Sequence, residues 1–93
     1  MTKSSVVTAS GAVETTSSTV HSVNITKVAT GTGSVIIYDN PSAASGNIIF
    51  QGDGLSEMSY PLGNFTGGGV GCVSGIYVAL GGTTKATVVV IYE

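Results

Sequence analysis

The chain reads as an all-β protein, an antiparallel β-sandwich or jelly-roll-like fold of six to eight short strands. Three observations predict this. Short β-branched runs alternate with turn residues at roughly the 8 to 12 residue spacing of sandwiches and barrels. No window offers apolar residues at helical spacing together with good helix formers, because Val, Ile and Thr dominate wherever there is hydrophobicity. With 93 residues, the chain has room for one compact unit and one core.

Residues 1–18 are rich in Ser and Thr, with Val6, Val7 and Val13 too sparse to define more than a flexible arm or an edge strand. The sandwich proper is predicted over 19–93. Its strand runs are Thr19–Val28, Ser34–Asp39, Asn47–Gln51, Leu55–Tyr60, Gly71–Leu80 and Lys85–Tyr92. Between them, Gly31 and Gly33, Gly52 and Gly54, and the Gly81-Gly82 pair supply residues able to take the positive φ of hairpin turns. Asp39-Asn40-Pro41-Ser42 is a loop by its chemistry: Pro41 lacks an amide donor and biases Asn40 away from helix, while Asp39 is placed to accept backbone amides in an Asx turn.

Composition excludes several functions. Gly, Ser and Thr make up 38 of the 93 residues, against three Lys, no Arg and a net charge of −2. Three scattered lysines cannot neutralise a run of phosphates, so nucleic acid is not a partner. Apolar content is too high and net charge too low for a disordered chain. The longest wholly apolar run, Val88–Tyr92, is five residues, where a membrane helix needs about 20. Neither a membrane partner nor a secretory leader is expected. A lone Cys72 cannot form an intrachain disulfide and fits synthesis in a reducing cytosol; with no base nearby in sequence it reads as a small buried thiol.

The face pattern carries the most information. A strand of an isolated sandwich alternates apolar inward and polar outward. Val35-Ile36-Ile37-Tyr38, Ile76 to Leu80 and Val88 to Tyr92 carry large apolar groups on both faces. With Ile76, Val78 and Leu80 turned inward, Tyr77 faces out; with Val89 and Ile91 turned inward, Val88, Val90 and Tyr92 face out. An apolar flank of this kind is seldom left bare on a soluble monomer. Charges that would blunt strand edges are scarce, Lys27 and Lys85 being the only cations in the predicted strands. A partner subunit is the economical cover, and the expected interface residues are Tyr38, Tyr77, Val88, Val90 and Tyr92.

No constellation points to catalysis or a cofactor. His21 is the only histidine, which rules out a multi-histidine metal site in one chain and leaves a single candidate base for a hydrolase triad. Gly67 to Gly75 has phosphate-loop spacing but no following helix and no cation. Glu14, Asp39, Asp53, Glu57 and Glu93 are scattered. The acceptor patterns at Asn24-Ile25-Thr26 and Asn64-Phe65-Thr66 are expected by chance in a chain this rich in threonine.

The succession VHSVNITKVATGTGSVIIYDNPSAASGNIIF, a Gly-rich segment and GIYVALGGTTKATVVVIYE, together covering Thr19 to Glu93, resembles the small β-sandwich capsid decoration (cement) proteins of tailed bacteriophages. The YDN loop followed by SAASG and the closing GIYV to TTKATVVVIY hairpin carry the resemblance. It implies no enzyme activity, no cofactor and no metal. It implies a virion structural protein on the capsid surface, made in the host cytoplasm. Such a protein is a homo-oligomer, typically a trimer, whose other partner is the major capsid protein. The resemblance lies in scaffold positions, so it assigns no binding residue. Two alternatives stand beside it: a phage tail or receptor-binding module recognising through the loops around Pro61 to Gly71, and a small hydrolase built on His21.

Overall fold

A computed structural model describes residues 3–30, 33–53, 59–61 and 70–93. Nine strands follow in chain order: β1 (Lys3–Val7), β2 (Gly11–Glu14), β3 (Ser18–Lys27), β4 (Ser34–Asp39), β5 (Asn47–Gly52), β6 (Ser59–Pro61), β7 (Val70–Cys72), β8 (Ile76–Gly81) and β9 (Thr87–Tyr92). Every pairing is antiparallel, and no helix occurs among the described residues. One sheet runs β1-β9-β3-β6, with β7 sharing the far side of β3; the other runs β2-β8-β4-β5. The chain is an antiparallel β-sandwich.

The core lies between the sheets. β3 contributes Val20, Val23 and Ile25, β9 contributes Val88, Val90 and Tyr92, β8 contributes Ile76, Val78 and Leu80, and β4 contributes Val35 and Ile37, all buried. Val7 and Cys72 close its ends, and Phe50 meets Tyr60 across the open side with ring centroids 5.0 Å apart. These branched side chains bury on the order of 1.5 to 3 kcal/mol each, enough to hold a glycine-rich chain together without a disulfide.

Three sequence expectations need correction. Val88, Val90 and Tyr92 do not face out: they are core residues, at 0%, 0% and 8% exposure. Five successive apolar residues carry no internal phase, and the register with β3, Val23 opposite Val90 and Ile25 opposite Val88, sets it instead. Val89 and Ile91 take the outer face, half-buried. Next, Gly71–Leu80 is not one strand. Val73-Ser74-Gly75 breaks it, leaving β7 in the five-stranded sheet and β8 in the four-stranded one. Gly75 makes the crossing possible, because a Cβ there would sit 2.5 Å from the Glu14 carbonyl oxygen and 2.9 Å from Pro41 Cα. Finally, of the glycines expected at positive φ, Gly82 has it (φ 127°), whereas Gly52 and Gly81 lie within strands without it.

Residues of the N-terminal segment form two edge strands, one per sheet: β1 pairs along β9 and β2 along β8. The extra strand from the β7/β8 division and this double edge bring the number to nine. Of the Leu55–Tyr60 run, Ser59 and Tyr60 belong to β6; residues 54–58, and residues 62–69 of the Pro61–Gly71 loop, lie outside the described residues.

Candidate functional site

The outward faces of the two sheets differ in chemistry. Registers place Ala12, Tyr77, Tyr38 and Ile48 side by side across all four strands of the smaller sheet. The next row holds Ala79, Ile36 and Gln51. Ile48 is 50% exposed, Ala12 is exposed, and both tyrosines, Ile36 and Ala79 are half-buried. Neither row carries a charged side chain, and Glu14 pairs opposite the core residue Ile76 and turns to Lys3, 3.5 Å away. On the five-stranded sheet, by contrast, Val6, Val89 and Ile91 are set among Ser4, Ser22 and Asn24. Asn24 donates to the Ser22 hydroxyl and the Val89 carbonyl, both at 3.2 Å. With its amide so engaged in the central strand, Asn24 is a structural residue and a poor glycosylation acceptor.

Tyr38 and Tyr77 lie directly opposite each other in the β4–β8 register, while Val88, Val90 and Tyr92 do not join them. Ile48, Ile36 and Ala12 do. Sequence reasoning missed these three. Ile36 alternates with the buried Val35 and Ile37 and was readable; Ile48 depends on a bulge between Ile48 and Phe50 that no local residue announces.

His21 sits at a second bulge, between Val20 and Ser22, which turns it outward beside the chain end. Its Nε2–H donates to Glu93 Oε1 at 3.0 Å, and this hydrogen bond is the main cause holding the Glu93 carboxyl below its ordinary range. Ser18 Oγ, on the same strand, donates to the Glu93 main-chain carbonyl at 2.7 Å. An open depression of about 490 Å³ borders it, lined by Ser17, Ser18, Thr19, Gly71, Cys72, Val73 and Glu93. The Ser18 hydroxyl and the His21 imidazole thus each bond to Glu93. Among the described residues no group of His, Cys, Asp and Glu is placed to hold a metal ion.

Asp39 does something other than a local Asx turn. Its carboxylate accepts the amides of Ser74 (2.8 Å), Val73 (3.0 Å) and Gly75 (3.4 Å), pinning the crossing between β7 and β8. The Asx turn belongs to Asn40, whose Oδ1 accepts the amides of Ser42 and Ala43, both at 2.9 Å. The amides of Ser74 and Val73 hold the Asp39 carboxyl below its ordinary value of 3.8. Burial, helped by the nearby Asp39 charge, pushes the Cys72 thiol up to about 11, so this side chain is an inert packing group.

Comparison with protein-family models, with curated proteins and with solved structures returned no match to this chain.

Proposed function

We propose that the chain is a non-enzymatic virion structural protein, a capsid decoration or cement subunit that assembles through the outer face of its four-stranded sheet. The observation that carries this reading is the uncharged apolar row Ala12–Tyr77–Tyr38–Ile48, which crosses every strand of that sheet. Interface centres are depleted in charge and enriched in tyrosine, and this row has both properties. The resemblance to phage cement proteins supplies the setting: copies of the chain meet one another and the major capsid protein on a closed shell. There, modest contacts repeated over the lattice add up to firm seating. The test is to purify particles from cells expressing the chain and to measure its copy number per capsid protein. Stoichiometric occupancy supports the reading, and loss of occupancy in Tyr38→Lys/Tyr77→Lys ties it to this face. Absence of the wild-type chain from particles refutes it.

A further inference from the structure

The edges of the two sheets are guarded unequally. β1 begins with Lys3, whose ammonium reaches Glu14, and β2 is a four-residue strand with a bulge. In β6, Pro61 removes a donor. β5 has none of these devices except a bulge: it runs for six residues, Asn-Ile-Ile-Phe-Gln-Gly, without charge or proline, and among the described residues it pairs with β4 along one side only. An edge of this kind is a template for another strand.

The bulge determines what fits there. Ile49 and Phe50 both pack toward the core, whereas Ile48 and Gln51 both stand on the outer face, opposite Tyr38 and Ile36. A regular strand that meets its own copy about a two-fold axis pairs residues whose numbers differ by an even count. Across this bulge the faces match at odd differences: Asn47 with Gly52, Ile48 with Gln51, and Ile49 with Phe50. Each pair then keeps both members on one side of the sheet.

We propose that β5 pairs antiparallel with β5 of a second copy of this chain in that register, joining two four-stranded sheets into one of eight strands. This rests on the assembly reading above, since the joined sheet presents both apolar rows as one continuous surface. Two six-residue strands bury less than the roughly 800 Å² per partner of a standard interface, so the contact is weak in solution and gains from repetition. Identical strands in antiparallel pairing obey two-fold symmetry; the contact links copies in twos and would connect trimers rather than close one.

Directly opposed residues have Cβ atoms about 4.5 to 5.5 Å apart, close enough for a disulfide after slight adjustment. Ile48→Cys and Gln51→Cys are therefore prepared as separate single variants of the full chain, both at exposed positions, and oxidised mildly at about 100 µM, alone and mixed. Cys72, 1% exposed, stays out of the reaction. The expected result is a covalent dimer on a non-reducing gel from the mixture and none from either variant alone. No dimer from the mixture, or equal dimer from a single variant, overturns the register and the proposal. Sedimentation of Tyr38→Lys/Tyr77→Lys separates the two readings. A cross-link with unimpaired assembly of that variant upholds the edge pairing and defeats the outer-face reading; assembly that needs the tyrosines, without a cross-link, does the reverse.

Discussion

The two outer faces of this sandwich differ in how a neighbour would meet them. On the five-stranded sheet the apolar residues Val6, Val89 and Ile91 are interrupted by Ser4, Ser22 and Asn24, whose polar groups bond within the sheet or face water. On the four-stranded sheet two tyrosines, two isoleucines and two alanines are contiguous. Register makes the difference. Placing Tyr38 opposite Tyr77, with Ala12 and Ile48 beyond them, makes a surface out of residues that lie far apart in the chain.

The largest effect separates core from surface. Val90→Asp places a carboxylate at a site with 0% exposure, at a cost of about 3 to 5 kcal/mol, which is most of the stability of a small domain. It is expected to unfold the chain. Tyr77→Asp, on the outer face, is expected to leave a cooperative melt by circular dichroism while abolishing self-association. Equal loss of structure in both variants would erase the distinction between the core between the sheets and the outer face of the four-stranded sheet. Ser4→Lys, exposed on the other sheet, is the matched control and should change neither property.

Gly75→Ala comes next. Its new Cβ would press on the Glu14 carbonyl and Pro41, and a loss of about 2 kcal/mol or more is expected in denaturant titration. A neutral result would mean that the crossing between the sheets is looser than the packing indicates.

A smaller effect is expected at Asp39. Replacing it with Asn weakens three amide contacts, at a cost of about 1 kcal/mol at neutral pH. Because the folded-state carboxyl titrates below its ordinary 3.8, its stabilisation is complete above that value and is lost as pH falls through the lower, folded-state value. Wild-type stability should therefore decline below about pH 4, and Asp39→Asn should flatten that part of the acid limb. Glu93→Gln, on an exposed pair with His21, should leave the melting temperature unchanged.

Much of the architecture was readable in the residues. Ser34–Asp39 is a strand with the bounds its turn residues suggest, and the Ile76, Val78, Leu80 alternation assigned Tyr77 outward correctly. What escaped was anything decided by a distant partner. The Val88–Tyr92 run is apolar at every position, so only its register with β3 reveals which side is buried. Bulges at His21 and Ile49 shift the alternation by one residue without a glycine to mark them. Asp39 looked like a local turn former because its true acceptor role lies 34 to 36 residues away in the chain.

The most direct test of the assembly face is sedimentation velocity of the wild type and of Tyr38→Lys/Tyr77→Lys at tens of micromolar, with circular dichroism on the same samples. The wild type should sediment as an oligomer and the variant as a folded monomer. A monomeric wild type, or a variant that associates as the wild type does, would contradict the account.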